Sequence, residues 1–224
     1  AAVEERLAAA CRRAGRERAE ITLVAVTKTV SADVARCLPA LGVHHLGENR
    51  PQELTRKAAL LPAAVHWHLI GHLQRNKIDR TLPLVSCIHS VDSVRLLQAL
   101  DQEAGKQGKG VAVLVEVNAG GEGSKQGFAP ADVPALAPVL RALRNVEVKG
   151  LMTMAALQEP ESCRPTFALL RGLRDRLRRA LEPPHTVEHL SMGMSNDFEV
   201  AVEEGATFVR LGSVLFQGVT DRGT

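Results

Sequence analysis

The 224-residue sequence predicts a (β/α)8 barrel, and two patterns carry that prediction. Eight short apolar runs suited to strands follow one another along the chain, each but the last trailed by a helical segment, at a spacing that fits a barrel near the short end of its size range. The two clearest runs, ITLVAV at 21–26 and VAVLVEV at 111–117, are β-branched without polar alternation, as in parallel strands covered on both faces. A doubly wound open sheet is the alternative for any β-α alternation, and the strand count favours the barrel. No linker, low-complexity tract or repeat divides the chain, so residues 1–224 read as one domain.

The opening helix covers Val3 to Arg16, with Val3, Leu7, Ala10 and Cys11 on one face. Strand Ile21–Val26 follows, then a helix capped near Ser31. Val43–Leu46 is the second strand and leads into Gly47-Glu48-Asn49-Arg50, where Pro51 suits the first turn of the next helix. Val65–Ile70 and Val85–Ser90 are the third and fourth strands, and Leu96, Leu97 and Leu100 mark the helix behind the fourth. Val111–Val117 is the fifth strand, followed by a proline-punctuated helix over Asp132–Leu143. Val146–Leu151 is the sixth, followed by a long helix over Pro165–Leu181. Val187–Leu190 and Thr207–Leu211 complete the set.

Hydrophobic residues make up 45% and charged residues 24%, ordinary values for a globular protein. A net charge of +3 is too small to argue for nucleic acid or a membrane surface. Four scattered cysteines form no C-x-x-C pair, and no apolar run reaches membrane-spanning length, so a cytoplasmic location is expected. Tyrosine is absent, which removes one common acid/base group from the whole chain.

In a barrel the loops after the strands share one face, and function sits there. Lys28 ends the first strand; taken alone, that leaves open a side chain that simply reaches into solvent. The seventh strand runs into Ser191-Met192-Gly193-Met194-Ser195-Asn196, with Asn196 and Glu199 spaced like a capping box. The eighth runs into Arg210-Leu211-Gly212-Ser213. Small residues and hydroxyls at helix starts leave backbone N–H groups free for phosphate, at the pair of loops where barrels often bind it. His66 and His68 share one side of a strand, as in barrel metallohydrolases, yet the later strand ends offer poor hard-metal ligands. Packed or hydrogen-bonded histidines are expected instead, and no metal site is assigned. Gly120 to Lys125 fits neither the Walker pattern nor the dinucleotide fingerprint. The basic run Arg171 to Arg179 backs an apolar stripe and reads as a solvated helix face.

A strand-ending lysine with a phosphate cradle at strands seven and eight suggests a pyridoxal phosphate Schiff base. The sequence resembles the pyridoxal phosphate homeostasis protein family in LVAVTKT at 23–29, GEN with QEL at 47–54, WHLIGHLQRNK at 67–77, SVDS at 90–93, SKQG at 124–127, GLMTM at 150–154, LSMGMSNDFEVAV at 190–202 and VRLGSVLF at 209–216. The resemblance implies the barrel of bacterial alanine racemase without its second, β-rich domain. It implies that Lys28 carries the cofactor, that Ser191, Gly212 and Ser213 hold its phosphate, and that Gly193 shapes the phosphate turn. It also places Arg210 against the pyridine nitrogen and Asn49 and Met152 in the pocket lining. Arg50-Pro51 and Gln217 depart from the family pattern, at the pocket rim and the outer phosphate loop.

The implied role is pyridoxal 5′-phosphate binding and homeostasis with little or no catalysis, exerted by a monomer or weak dimer in transient contact with apo-enzymes. An arginine at the ring nitrogen disfavours its protonation and weakens the ring as an electron sink. A racemase of this fold would need a second base, and the chain has no tyrosine to supply it. The racemase remains the alternative. Lys125 is the expected secondary labelling position.

Overall fold

A computed structural model of the chain describes residues 1–121 and 126–219. Eight parallel strands close into a barrel in sequence order. They are β1 (Thr22–Val26), β2 (His45–Glu48), β3 (His66–Leu69), β4 (Val85–Val91), β5 (Val111–Glu116), β6 (Val146–Met152), β7 (His189–Ser191) and β8 (Phe208–Leu211). β8 returns to β1 in register, Thr22 opposite Phe208 and Ala25 opposite Leu211, and this pairing leaves no sheet edge. The helices outside are α1 (Ala2–Arg13), α2 (Ala32–Arg36), α3 (Pro51–Ala58), α4 (Ile78–Thr81), α5 (Val94–Lys106), α6 (Ala137–Ala142), α7 (Arg164–Arg179) and α8 (Phe198–Glu203). Among the described residues no helix is long and apolar enough to cross a membrane.

Strand alternation divides the interior into two cores. On β5, Val113 and Val115 join the large outer core beneath the helices, with Leu7, Leu54, Leu97, Leu140, Phe167 and Phe198. Leu114 turns inward instead and meets Cys87 and Met152, with Phe208 packed beside them. The helix ends obey local chemistry. The Ser31 and Ser93 hydroxyls accept the N–H groups of Val34 and Leu96, and Pro51 occupies the first turn of α3.

Four local expectations change. The second strand begins two residues late and runs through Glu48, because Glu48 is buried by a partner on α3 and pairs in register with β3. The expected helix over 132–143 is a 3-10 turn at Pro130–Leu136 followed by the short α6, since Pro134 and Pro138 remove backbone donors. Val187 adopts a left-handed φ of 46°, so β7 starts only at His189. The capping box at Asn196 and Glu199 does not form. Asp197 holds the N-cap position of α8 without a side-chain bond into the helix, and its carboxylate accepts the Met194 N–H in the preceding loop, while Asn196 donates to Gln158 O and Glu199 pairs with Arg6.

Gly150 permits the close approach of β6 and β7: a Cβ there would lie 1.9 Å from the His189 carbonyl oxygen. Gly150→Ala is expected to destabilise the fold by roughly 1–3 kcal/mol, because two paired backbones must separate. At Gly172 on α7 a Cβ meets nothing within 4 Å, so Gly172→Ala is expected to stabilise by about 0.5–1 kcal/mol. Opposite shifts of the urea midpoint check the pair; equal shifts would refute this account of Gly150.

Candidate functional site

Lys28 lies two residues past the end of β1 and stands exposed at the carboxyl face of the barrel. The chain just before it is held from outside the barrel. Thr27 is fully buried, its N–H donates to Gly47 O, and its hydroxyl donates to Glu48 Oε1 at 2.7 Å. Lys57 of α3 donates to that same oxygen and to Thr27 O, each at 2.6 Å. Lys57 and Glu48 are 1% and 0% exposed. A charged pair is tolerated at that depth because each partner cancels the other and the lysine also finds a carbonyl. Glu48 Oε2 is buried and accepts nothing from the described residues.

On the neighbouring strand β8, Arg210 is buried. It donates to Ser191 Oγ at 2.6 Å and to Thr153 O at 2.9 Å. Burial lowers its pKa to about 10, against the opposing pull of Glu116 and Asp197, and it stays charged at neutral pH. Glu116, inward-facing at the end of β5, has its carboxyl raised to about 6 by burial and then by Asp92, with Arg210 and His72 pulling the other way. His72 Nδ1 lies 3.1 Å from Asp92 Oδ2 on the same wall.

The loops after β7 and β8 meet through Ser195. Its Oγ accepts the N–H groups of Gly212 and Val214 at 3.4 and 3.3 Å. These bonds are long, so both donors remain available to a stronger acceptor. Gly193 takes φ 94°, and a Cβ there would come 2.6 Å from the Ala201 side chain, so the turn demands glycine. Ser213 is exposed beside this loop.

Most of the expected residues therefore share one end of the barrel: Lys28, Asn49, Gly193, Arg210, Gly212 and Ser213. Gly71 fixes the Asn49 backbone, since a Cβ on Gly71 would lie 2.3 Å from Asn49 O. Met152 lies fully buried in the inner core at the end of β6. Ser191 sits deeper than expected: it is fully buried, and its hydroxyl is engaged by Arg210 and by His89 Nδ1 at 2.8 Å. Lys125 lies outside the described residues.

Several contributors escaped the sequence reading. Glu116 had a signal, a lone carboxylate at an inward position of the most apolar strand. Ser195 had one too, as the second hydroxyl of the β7 loop. Lys57 had none, since it looks like any basic residue near a helix end. His68 lies between His45 and His89 and bonds to both, whereas His66 stacks on His45 with ring centroids 4.8 Å apart. The cavity of about 490 Å³ lined by Arg141, Arg144, Arg179 and His185 lies at the opposite end of the barrel and includes none of the expected site residues.

Comparison with known proteins identifies the family and agrees with the fold. The family model for the alanine racemase N-terminal domain matches residues 1–219. A pyridoxal phosphate homeostasis protein of Aquifex aeolicus is 45% identical over 216 residues, covering 96% of this chain and 94% of its own. A namesake from Pseudomonas aeruginosa is 40% identical, covering 100% and 95%. The solved structure of PipY from Synechococcus elongatus with PLP bound superposes with a TM-score of 0.82 at 36% identity, over 96% of this chain and 99% of that one. The chain belongs to the pyridoxal phosphate homeostasis protein family and carries the alanine racemase N-terminal domain.

Proposed function

We propose that this protein binds pyridoxal 5′-phosphate reversibly as a Schiff base on Lys28 and serves to buffer or deliver it, with little or no catalysis of its own. The observation that carries the proposal is the placement of an exposed lysine and a buried, pinned arginine at one barrel mouth, beside a loop with available N–H donors. The residues fit such a cofactor. Ser195, Ser213 and the N–H groups of Gly212 and Val214 are the donors for its phosphate, in the turn shaped by Gly193. Arg210 would stand toward the ring nitrogen, and Asn49 and Met152 would line the pocket around it. Ser191 acts beneath them by holding Arg210. When bound, the cofactor supplies an electrophilic aldehyde and a conjugated ring.

This chain's residues then set what the ring does. A charged guanidinium at the nitrogen opposes protonation there, so charge is poorly drawn into the ring. No tyrosine exists to act as a second base, which argues against two-base racemisation. The exposed position of Lys28 suits exchange of cofactor with apo-enzymes in transient contact. We place the protein in the cytoplasm as a monomer or weak dimer.

Loading the purified protein with pyridoxal phosphate is expected to give a visible absorbance that borohydride fixes onto Lys28, found by peptide mapping and absent in Lys28→Ala. Label on Lys125 or elsewhere but not on Lys28 would overturn the proposal. Incubating single amino-acid enantiomers in deuterated water tests the catalytic part, with negligible α-hydrogen exchange expected. Rapid exchange lost in Lys28→Ala would instead make the protein an enzyme.

A further inference from the structure

Three histidines run through the inside of the barrel in hydrogen-bond contact. His45 Nδ1 lies 2.9 Å from His68 Nε2, and His68 Nδ1 lies 2.8 Å from His89 Nε2. His89 Nδ1 lies 2.8 Å from Ser191 Oγ, which accepts from Arg210 at 2.6 Å. His68 and His89 are 2% and 0% exposed. His45, half-buried, lines a cavity of about 230 Å³ at the amino ends of β1 and β2, with Glu4 and Arg18 at its rim. The chain thus joins one face of the barrel to the site on the other.

We propose that His45, His68, His89 and Ser191 form a one-way hydrogen-bond relay through the barrel that fixes Arg210 from below and makes His89 a positioning residue for that arginine. The direction follows from counting protons. A neutral imidazole has one N–H, and each contact needs one donor and one acceptor. Arg210 can only donate, so Ser191 Oγ accepts from it. If Ser191 donates its own proton to His89 Nδ1, then His89 Nε2–H donates to His68 Nδ1. His68 Nε2–H in turn donates to His45 Nδ1, and the last N–H, on His45 Nε2, points away from the chain. Every contact is then satisfied.

The reverse order fails at one point. Ser191 Oγ would accept from both His89 and Arg210, and its own proton would have no acceptor, since no third described group bonds that oxygen. A buried hydroxyl donor without a partner costs on the order of 1–3 kcal/mol, enough to choose the outward order. An added proton on any Nδ1 would either set two donors face to face or reverse the order and strand the Ser191 hydroxyl proton, and it would add a second cation to the chain that ends at Arg210. Burial keeps the rings neutral, with His68 lowered to about 3 and His89 well below its ordinary value. The consequence reaches the site. With His89 held in one tautomer, the Ser191 hydroxyl rotor is fixed and its lone pair stays aimed at Arg210.

A metal is the competing use of this cluster, because His68, Cys87 and His89 place ligand atoms within 4.8 Å of one another. The contact of 2.8 Å between His68 Nδ1 and His89 Nε2 favours a hydrogen bond, since two nitrogens on one tetrahedral zinc stand about 3.3 Å apart.

The relay is tested on the ligand-free chain, labelled with 15N. Long-range proton–nitrogen correlation at neutral pH is expected to show His45, His68 and His89 all protonated on Nε2 and bare on Nδ1. Side-chain N–H exchange at Arg210 is expected to accelerate about tenfold or more in His68→Phe, which cuts the relay two contacts away from the arginine. Cys87→Ala is expected to leave both readouts unchanged. His89 protonated on Nδ1 in the native chain would overturn the relay, as would unaltered Arg210 exchange in a folded His68→Phe variant. Stoichiometric zinc that Cys87→Ala abolishes would also overturn it. The importance of Arg210 for a ring nitrogen rests on the cofactor reading, and the two fail separately: a missing Lys28 label with these tautomers intact removes only that reading.

Discussion

Lys57→Met is expected to lose about 3–5 kcal/mol of folding stability, the usual cost of removing one partner from a fully buried ion pair. Methionine preserves most of the volume, so the loss reports charge rather than a cavity. Glu48 would keep only the Thr27 hydroxyl, with Oε2 already lacking a donor among the described residues. The variant also releases Thr27 O, the carbonyl adjacent to Lys28. Borohydride labelling of Lys28 is therefore expected to slow in the fraction that still folds. Adding Glu48→Gln removes the stranded charge and is expected to return part of the loss, a coupling that a double-mutant cycle reads directly. Urea denaturation of the four proteins settles it. A loss below about 1 kcal/mol for Lys57→Met would mean that water reaches Glu48 and that the pair does not brace the strand end.

The same pair shows why some of the site was legible in the sequence and some was not. The barrel was legible because parallel strands covered on both faces leave long apolar runs, and VAVLVEV cannot easily be anything else. Lys28, Arg210 and the glycines at 193 and 212 were legible because they sit at strand ends or tight turns, where position alone limits their use. The β2 end was misplaced because Gly47-Glu48 looks like a loop until Lys57 supplies a countercharge from the following helix. Ser191 and Ser195 lie four residues apart in one loop, and composition cannot say which faces ligand. The answer depends on Arg210 and His89, which arrive from other strands. The histidines carried the same ambiguity. Period-two spacing placed His66 and His68 on one side of a strand, but their partners His45 and His89 come from neighbouring strands through a register that local pattern does not encode.

Those buried histidines also govern how the protein should respond to acid. Stability is expected to fall between pH 7 and pH 5, with His68 alone contributing a loss of about 2 kcal/mol. In the unfolded chain His68 takes a proton near its ordinary 6.5, whereas in the fold it resists until about 3. The unfolded state therefore binds more protons throughout that window, and stability drops as pH falls through it. His89 shifts the same way, driven by burial and then by His68 and Arg210. His89 therefore adds to the loss from His68 with the same sign. Glu116 works in the opposite sense. Its folded carboxyl is raised to about 6 from 4.5, so the fold binds its proton first and regains about 1 kcal/mol over the same interval. Two histidines outweigh one carboxyl, and the net sign is loss. Urea midpoints at pH 7.5, 6 and 5 measure it, and the slope is expected to flatten in His68→Phe, which has no ring nitrogen to protonate on unfolding. Stability that held constant down to pH 5 would show that solvent already reaches these rings, and with it the relay that holds Arg210 would lose its insulation.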